Sequence, residues 1–281
     1  MLTPLKREEF DKYIDFVYTL ALDPARSGYP TYTDGIKTRA DFVDRAQKAF
    51  ERENEDILLY EREGKAAGWI HYYHLPEDKY LDTCSFCIAE GMGDAIAEFT
   101  AFARGRFPGS ELYLKFPGEN TQAETALEAG GFVCIERDFN DVFELDRYEP
   151  RPLDPDVVPV TRENFGLFRT LHAQDEGMYW NSDRLLADMD EWRMLLYMPG
   201  GVPAGALQAR KDSEMGEIFA LFFRAAYDAG TYRALVTAAL NGAKADGAGA
   251  MVFFNDSETQ ADALALGFRC VGEYMCYKTA L

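Results

Sequence analysis

One stretch of this chain is written twice, and that limits the folds open to it more than anything else in the sequence. The segment Asn120–Phe132 contains Thr121-Gln122-Ala123 and ends in Gly131-Phe132. It returns in altered form as Glu258–Phe268, with Thr259-Gln260-Ala261 and a closing Gly267-Phe268. Each copy follows a short apolar run, Leu112–Phe116 or Met251–Phe254, and precedes a strand-like stretch, Val133–Arg137 or Arg269–Tyr277. Upstream of each copy come a strand, a glycine-containing bend and a helix pattern. Gly91 lies 40 residues before Gly131, and Gly230 lies 37 before Gly267. Matching order and spacing point to a duplicated unit, and 281 residues suit two domains of roughly 140.

Periodicity fills in the rest. In the first half, 3.6-residue patterns over Glu8–Leu22 and Arg39–Arg52 predict two helices. Asp56–Tyr60 and Ala67–Tyr73 flank a turn at Glu63-Gly64-Lys65, a hairpin signal, and Leu81–Ile88 reads as the next strand before a helix at Asp94–Arg106. The second half repeats the order: helices at Arg162–Glu176 and Ser182–Met189, strands at Arg193–Tyr197, Ala204–Arg210 and Gly216–Phe223, and a helix at Tyr232–Asp246. Pro150, Pro152 and Pro155 interrupt a charged stretch and mark an extended linker. The expected fold class is therefore α/β with mixed sheets in two tandem domains, 1–147 and 157–281, joined by a linker at 148–156.

Charge and cysteine content narrow the function classes. The formal charge is -19, from 48 acidic and 29 basic residues, which repels nucleic-acid phosphates and anionic lipid and favours cationic partners. Solubility alone would also account for it. No apolar run reaches the ~20 residues of a membrane span, and the acidic, amphipathic N-terminus is unlike a secretory signal, so a cytoplasmic protein is expected. Cys84 and Cys87 form a CxxC on a strand, where side chains three apart face opposite ways, so no metal site is expected there. His71, His74 and His172 have no partner nearby in sequence and read as ordinary core or surface residues.

The element order, with its strand, helix, Gly-Phe and strand ending, resembles the GCN5-related N-acetyltransferase (GNAT) family twice over. Leu266-Gly267-Phe268 before Cys270–Tyr274 carries the likeness best. The glycine permits the left-handed residue that stops a helix, and the phenylalanine packs beneath it. The resemblance implies acyl transfer from acetyl-CoA or another acyl-CoA, held by a Gln/Arg-x-x-Gly-x-Gly/Ala loop between the fourth strand and the next helix. Backbone N–H groups meet the pyrophosphate there. In the first half Gly91, Met92 and Gly93 occupy that loop, with Ile88 at the polar position and Glu90 and Asp94 adding negative charge. A plain strand–helix turn capped by Asp94 is the alternative. The second half keeps Gly230 alone. Phe222 and Phe223 would then flank the pantetheine arm, and Asn255, after the fifth strand, would meet the co-substrate.

The resemblance also assigns chemistry. The family's thiolate acid is a tyrosine four residues before the Gly-Phe glycine, but Leu127 and Ala263 stand there. Glu217, near the start of the fourth strand of the second half, is the candidate base, with Asp82 at the comparable place in the first. Aromatics between the first two helices, Tyr29 and Tyr32 in one half and Met178, Tyr179 and Trp180 in the other, suggest acceptor-pocket walls. The reading is an N-acyltransferase acting on a small, cationic amine, with no metal, nucleic-acid or membrane partner. The alternative is a catalytically degenerate tandem protein that binds a ligand or partner. A tRNA-dependent transferase of paired domains would need a basic stripe that this chain lacks.

Overall fold

The computed structural model describes residues 1–173 and 179–281. Met178 and the end of the helix expected to reach Glu176 lie outside the described residues. The chain divides into two units: residues 1–138 with 272–281, and residues 139–271.

In the N-terminal unit, β1 (Leu2–Pro4), α1 (Phe10–Ala21), α2 (Arg39–Gln47), β2 (Glu55–Arg62), β3 (Lys65–Leu75) and β4 (Tyr80–Ile88) come first. Then follow α3 (Met92–Arg106), β5 (Glu111–Pro117), α4 (Thr121–Ala129) and β6 (Val133–Glu144), whose second half belongs to the other unit. The C-terminal unit adds β7 (Val157–Pro159), α5 (Phe165–His172), α6 (Ser182–Ala187), β8 (Trp192–Tyr197), β9 (Gly205–Arg210) and β10 (Met215–Phe223). It continues with α7 (Ala229–Asp246), β11 (Ala250–Asn255), α8 (Gln260–Leu266) and the start of β12 (Arg269–Ala280).

Each sheet is antiparallel except for one parallel pair, β4 with β5 and β10 with β11. Strand order is β1-β2-β3-β4-β5-β12 in the first unit and β6-β11-β10-β9-β8-β7 in the second. The last strand of each sheet comes from the other half of the chain. Tyr274–Ala280 of β12 pairs with β5, while Phe139–Glu144 of β6 pairs with β11. A linear cut near residue 147 therefore does not describe the units. The expected linker is not free chain either: Tyr148, at its start, is buried in the C-terminal core. Tyr148 Oη donates to Asn241 Oδ1 at 2.7 Å, and Asn241 also bonds both backbone groups of Arg151.

Helices cover both faces of each sheet. Phe10, Ile14, Val17 and Leu20 recur at helical spacing on α1 and pack with Phe42 and Trp69 on one face of the first sheet. Ile96, Phe99, Ala103, Ala123 and Leu127 bury α3 and α4 against the other face. In the C-terminal unit, α5 and α6 cover one face and α7 and α8 the other. The repeated glycines hold as expected: Gly131 (φ 75°) and Gly267 (φ 114°) are both left-handed at the end of the late helix.

Candidate functional site

The two units share a local irregularity that gives their registers a common origin. In β4, His71 pairs with Ser85 and Tyr72 with Thr83, so Cys84 is an extra, bulged residue. In β10, Ala209 pairs with Ile218 and Gln208 with Ala220, so Phe219 is the bulge. Counting from these, Asp82 matches Glu217, His71 matches Gln208, Tyr73 matches Arg210, Glu55 matches Trp192 and Lys115 matches Phe254.

Beyond the bulge the parallel strands separate in both units. β4 and β5 pair only at Tyr80–Glu111 and Leu81–Leu112, and β10 and β11 only from Met215–Ala250 to Ile218–Phe253. The gap in the N-terminal unit is filled by its own chain. Gly28 N–H donates to the Phe86 carbonyl (2.7 Å), Tyr29 N–H to the Lys115 carbonyl (2.9 Å), and Ile88 N–H to the Arg26 carbonyl (2.9 Å). Asn120 Nδ2 holds the Ser27 carbonyl at 3.1 Å. A Cβ on Gly28 would lie 3.0 Å from both the Lys115 oxygen and Phe86 Cβ, so any side chain there would have to push the strands aside. Tyr29 packs its ring on Tyr274 (5.1 Å), and Tyr32 is buried against Phe42 (5.0 Å). Neither lines an open acceptor pocket. In the C-terminal unit, among the described residues, no backbone group bonds the edge of β10 facing β11 from Phe219 to Phe223.

The carboxylates differ in the same sense. Asp82 is buried and saturated: Lys115 Nζ lies at 2.5 Å, Tyr80 Oη at 2.7 Å and Tyr73 Oη at 3.2 Å. Burial alone would lower the Lys115 pKa, but the Asp82 charge outweighs it and raises it. Asp82 is thus locked in an ion pair. Glu217 is half-buried, and its lysine position is taken by Phe254. It shares one cross-strand row with Arg210 and Trp192, on the face covered by α5 and α6.

Tyr179 and Trp180 reach this same face. Trp180 contacts Trp192 (5.0 Å), which contacts Phe219 (5.0 Å). Their ring faces are not vacant, however. The Arg184 guanidinium sits 4.1 Å from the Tyr179 centroid, and that of Arg210 lies 5.9 Å from Trp180 and 5.4 Å from Trp192. Phe222 is buried against His172 and Phe168, and Phe223 is half-buried beside Tyr227, so both border the bare edge of β10.

The helix ends complete the contrast. Gly91 begins α3 in the left-handed region (φ 76°) with no side-chain cap, and Arg62 stands directly over it, paired to Asp94 at 3.2 Å. Asp94 therefore does not cap this helix. Met92 is buried in the core, and Gly93 faces Ala126 of α4, where an added Cβ would make an ordinary 3.5 Å contact. At α7, Asp228 caps the helix by accepting from Thr231 N–H at 2.6 Å, a bond that lowers its pKa. Gly230 lies beside that carboxylate.

Asn255 is committed internally. Its Oδ1 accepts from Tyr232 Oη (3.1 Å) and Thr259 Oγ1 (3.2 Å), and its Nδ2 donates to Asp141 Oδ2 (2.9 Å). A co-substrate contact would have to break this buried network. Asp141 is fully buried with no cationic partner among the described residues, and burial pushes its pKa up to about 6. The positions of the missing tyrosine, Leu127 and Ala263, are both fully buried.

Glu55, His71 and Cys84 bring potential ligand atoms within 4.8 Å of one another. The cation among them is Arg45, 2.6 Å from Glu55 Oε2 and 2.7 Å from Cys84 Sγ, with Arg52 2.7 Å from Glu55 Oε1. Burial alone would raise the Glu55 pKa. His71 and the two arginines outweigh it and hold the carboxylate well below its usual range.

No family model matches the sequence, and no curated protein matches it. Solved structures do. A GCN5-related N-acetyltransferase from Sphaerobacter thermophilus superposes with TM-score 0.63 at 12% identity, covering 99% of this chain and 95% of that one. The fold is that of tandem GNAT proteins. A tandem GNAT protein from the clavulanic acid biosynthesis pathway gives TM-score 0.55 at 14% identity over 99% and 98% of the two chains. A GCN5-related N-acetyltransferase from Kribbella flavida gives 0.54 at 13% over 84% and 93%. No helix among the described residues is long and apolar enough to cross a membrane.

Sequence reasoning missed the strand-filling role of Arg26–Gly28, and it missed Asp228, Gln208 and Trp192. Gln208 carried a signal, as a lone amide in the apolar run Ala204–Ala209, and so did Asp228, three residues before Thr231 at a helix start.

Proposed function

We propose that this protein is an N-acyltransferase whose C-terminal unit alone takes the acyl-CoA. The observation that carries this is the edge of β10 from Phe219 to Phe223, bare among the described residues, set against the filled gap in the N-terminal unit. An extended pantetheine arm offers amide groups that such an edge can bond, as a neighbouring strand would. The pyrophosphate would meet the start of α7 at Ala229–Thr231. Asp228 is exposed, so its carboxylate can swing away from those N–H groups, but it weakens the site.

The amine nitrogen attacks the thioester carbonyl, a C–N bond forms, the C–S bond breaks and the thiolate departs. Glu217, in the row beside the bulge, receives the ammonium proton directly or through water. With Ala263 in place of a tyrosine, the thiolate leaves without a dedicated acid. The negative charge favours a cationic acceptor at long range, but the engaged ring faces of Tyr179 and Trp180 give no aromatic cage for it. A cytoplasmic setting accords with five free cysteines.

The test is acetyl transfer from acetyl-CoA to a panel of amines as a function of pH. The rate should rise with pH as the free amine fraction grows. Glu217→Gln should lower kcat about 10²-fold or more and leave the acetyl-CoA Kd within about twofold. Acetyl-CoA binding without turnover on any amine would favour the degenerate binding protein, the reading to which the missing tyrosine points.

A further inference from the structure

We infer that the C-terminal unit recognises an acceptor whose amine carries a neighbouring hydroxyl or carboxamide, held by Gln208 and Trp192. This rests on the acyl-transfer reading. Gln208 and Trp192 are each 2% exposed, yet Gln208 Oε1 and Trp192 Nε1 have no hydrogen-bond partner among the described residues. Leaving a buried polar atom without a hydrogen bond is costly, so two such atoms on one face point to a group that arrives from outside.

The two residues share a face. Trp192 lies opposite Arg210 on β9, and Gln208 is two residues from Arg210 on that strand, which makes them diagonal neighbours about 7–8 Å apart. The same face carries Glu217 opposite Arg210 and Ala220 opposite Gln208, immediately after the bulge. Glu217 and Ala220 are half-buried and Phe219 is 43% exposed, so an acceptor reaches this row from the side of β10.

The N-terminal unit shows what these positions look like when nothing enters. There Glu55 and His71 replace Trp192 and Gln208 and bond each other at 3.1 Å, with Arg45 and Arg52 completing the cluster. Matching positions are self-sufficient in one unit and unsatisfied in the other.

The donor and acceptor types select the ligand. Trp192 Nε1 only donates, and Gln208 Oε1 only accepts. An ammonium cannot accept from Trp192, and a carboxylate cannot donate to Gln208. A hydroxyl or a carboxamide does both. A trapped water also does both, and it is the rival occupant.

The experiment compares 2-aminoethanol and glycinamide with propylamine in the acetyl-CoA assay, and measures thermal shifts with the same three amines. A site built on buried hydrogen bonds should favour the oxygen-bearing acceptors about 30-fold or more in kcat/KM. Gln208→Leu and Trp192→Phe should each reduce that preference to a few-fold, and should remove the stabilisation given by 2-aminoethanol. Equal kcat/KM for the three amines, or a preference that survives Gln208→Leu, would mean that only water meets these atoms. That would overturn this inference while leaving acyl transfer intact. If no amine is acetylated, the acyl-transfer reading fails, and the thermal shifts decide: stabilisation by 2-aminoethanol that Gln208→Leu abolishes supports the site, and its absence overturns it.

Discussion

Two copies of one strand cleft sit in this chain, and each has lost a different part. The N-terminal copy keeps an uncapped, left-handed Gly91 and an arginine at its helix start, but Arg26–Tyr29 occupies the space between its strands. The C-terminal copy keeps its strand edge bare among the described residues, but places the Asp228 carboxylate on its helix start. Their central carboxylates differ too: Asp82 is tied to Lys115 and two tyrosines, and Phe254 stands at the matching lysine position beside Glu217. One copy is thus a self-filled scaffold, while the other has an edge that is bare among the described residues. The gap between the strands is the harder loss to reverse, because it is filled by backbone hydrogen bonds. An exposed carboxylate can rotate aside.

Filling that gap has a measurable consequence for stability. Gly28→Val puts a branched side chain where a Cβ already meets a carbonyl at 3.0 Å. It should cost about 3 kcal/mol, seen as a lower denaturant midpoint, with the acetyl-CoA Kd unchanged. A gain of acetyl-CoA binding in this variant would show that the plug is a removable inhibitor, and would break the contrast between the units.

The buried acids sharpen the comparison. Asp82 has a lysine, whereas Asp141 has Asn255 and a second carboxylate oxygen with no hydrogen-bond partner. Because its folded pKa of about 6 lies above the unfolded value, the folded state binds the proton more tightly. The protein then loses stability as pH rises from about 4 to about 6. Asp141→Asn should stabilise the protein by about 2 kcal/mol at pH 7 and by little at pH 4. Equal effects at both values would show that Asp141 is charged at little cost.

The smallest effect expected is at the helix starts. Asp228→Ser keeps a capping oxygen but removes the charge, and should tighten acetyl-CoA binding by roughly three- to fivefold. Asp94→Ser, at the other helix, should leave it unchanged. The reverse result would move the phosphate site to the N-terminal unit.

Much of this architecture was legible in the sequence, and the reasons for the rest are physical. Helix periodicity and the paired Gly-Phe endings located almost every element. The strand exchange was not legible, because Val133–Glu144 and Arg269–Ala280 carry similar patterns and a pattern does not say which edge a strand joins. Ser27–Pro30 reads as a loop, since the pairing of Gly28 depends on strands more than 50 residues away. Glu217 was assigned by position, and the shared bulge aligns it with Asp82 of the other unit, while its role as base is the proposal above. Met92, Gly93 and Asn255 were assigned by motif, but their surroundings give them packing and internal hydrogen bonds.

Hydrogen–deuterium exchange with and without acetyl-CoA tests the central claim most directly, because it reads both clefts in one sample. The account predicts new protection in peptides covering Ile218–Thr231 and none in Asp82–Asp94, whose strand is already bonded by the plug. Protection of Asp82–Asp94, with Ile218–Thr231 unchanged, would contradict it.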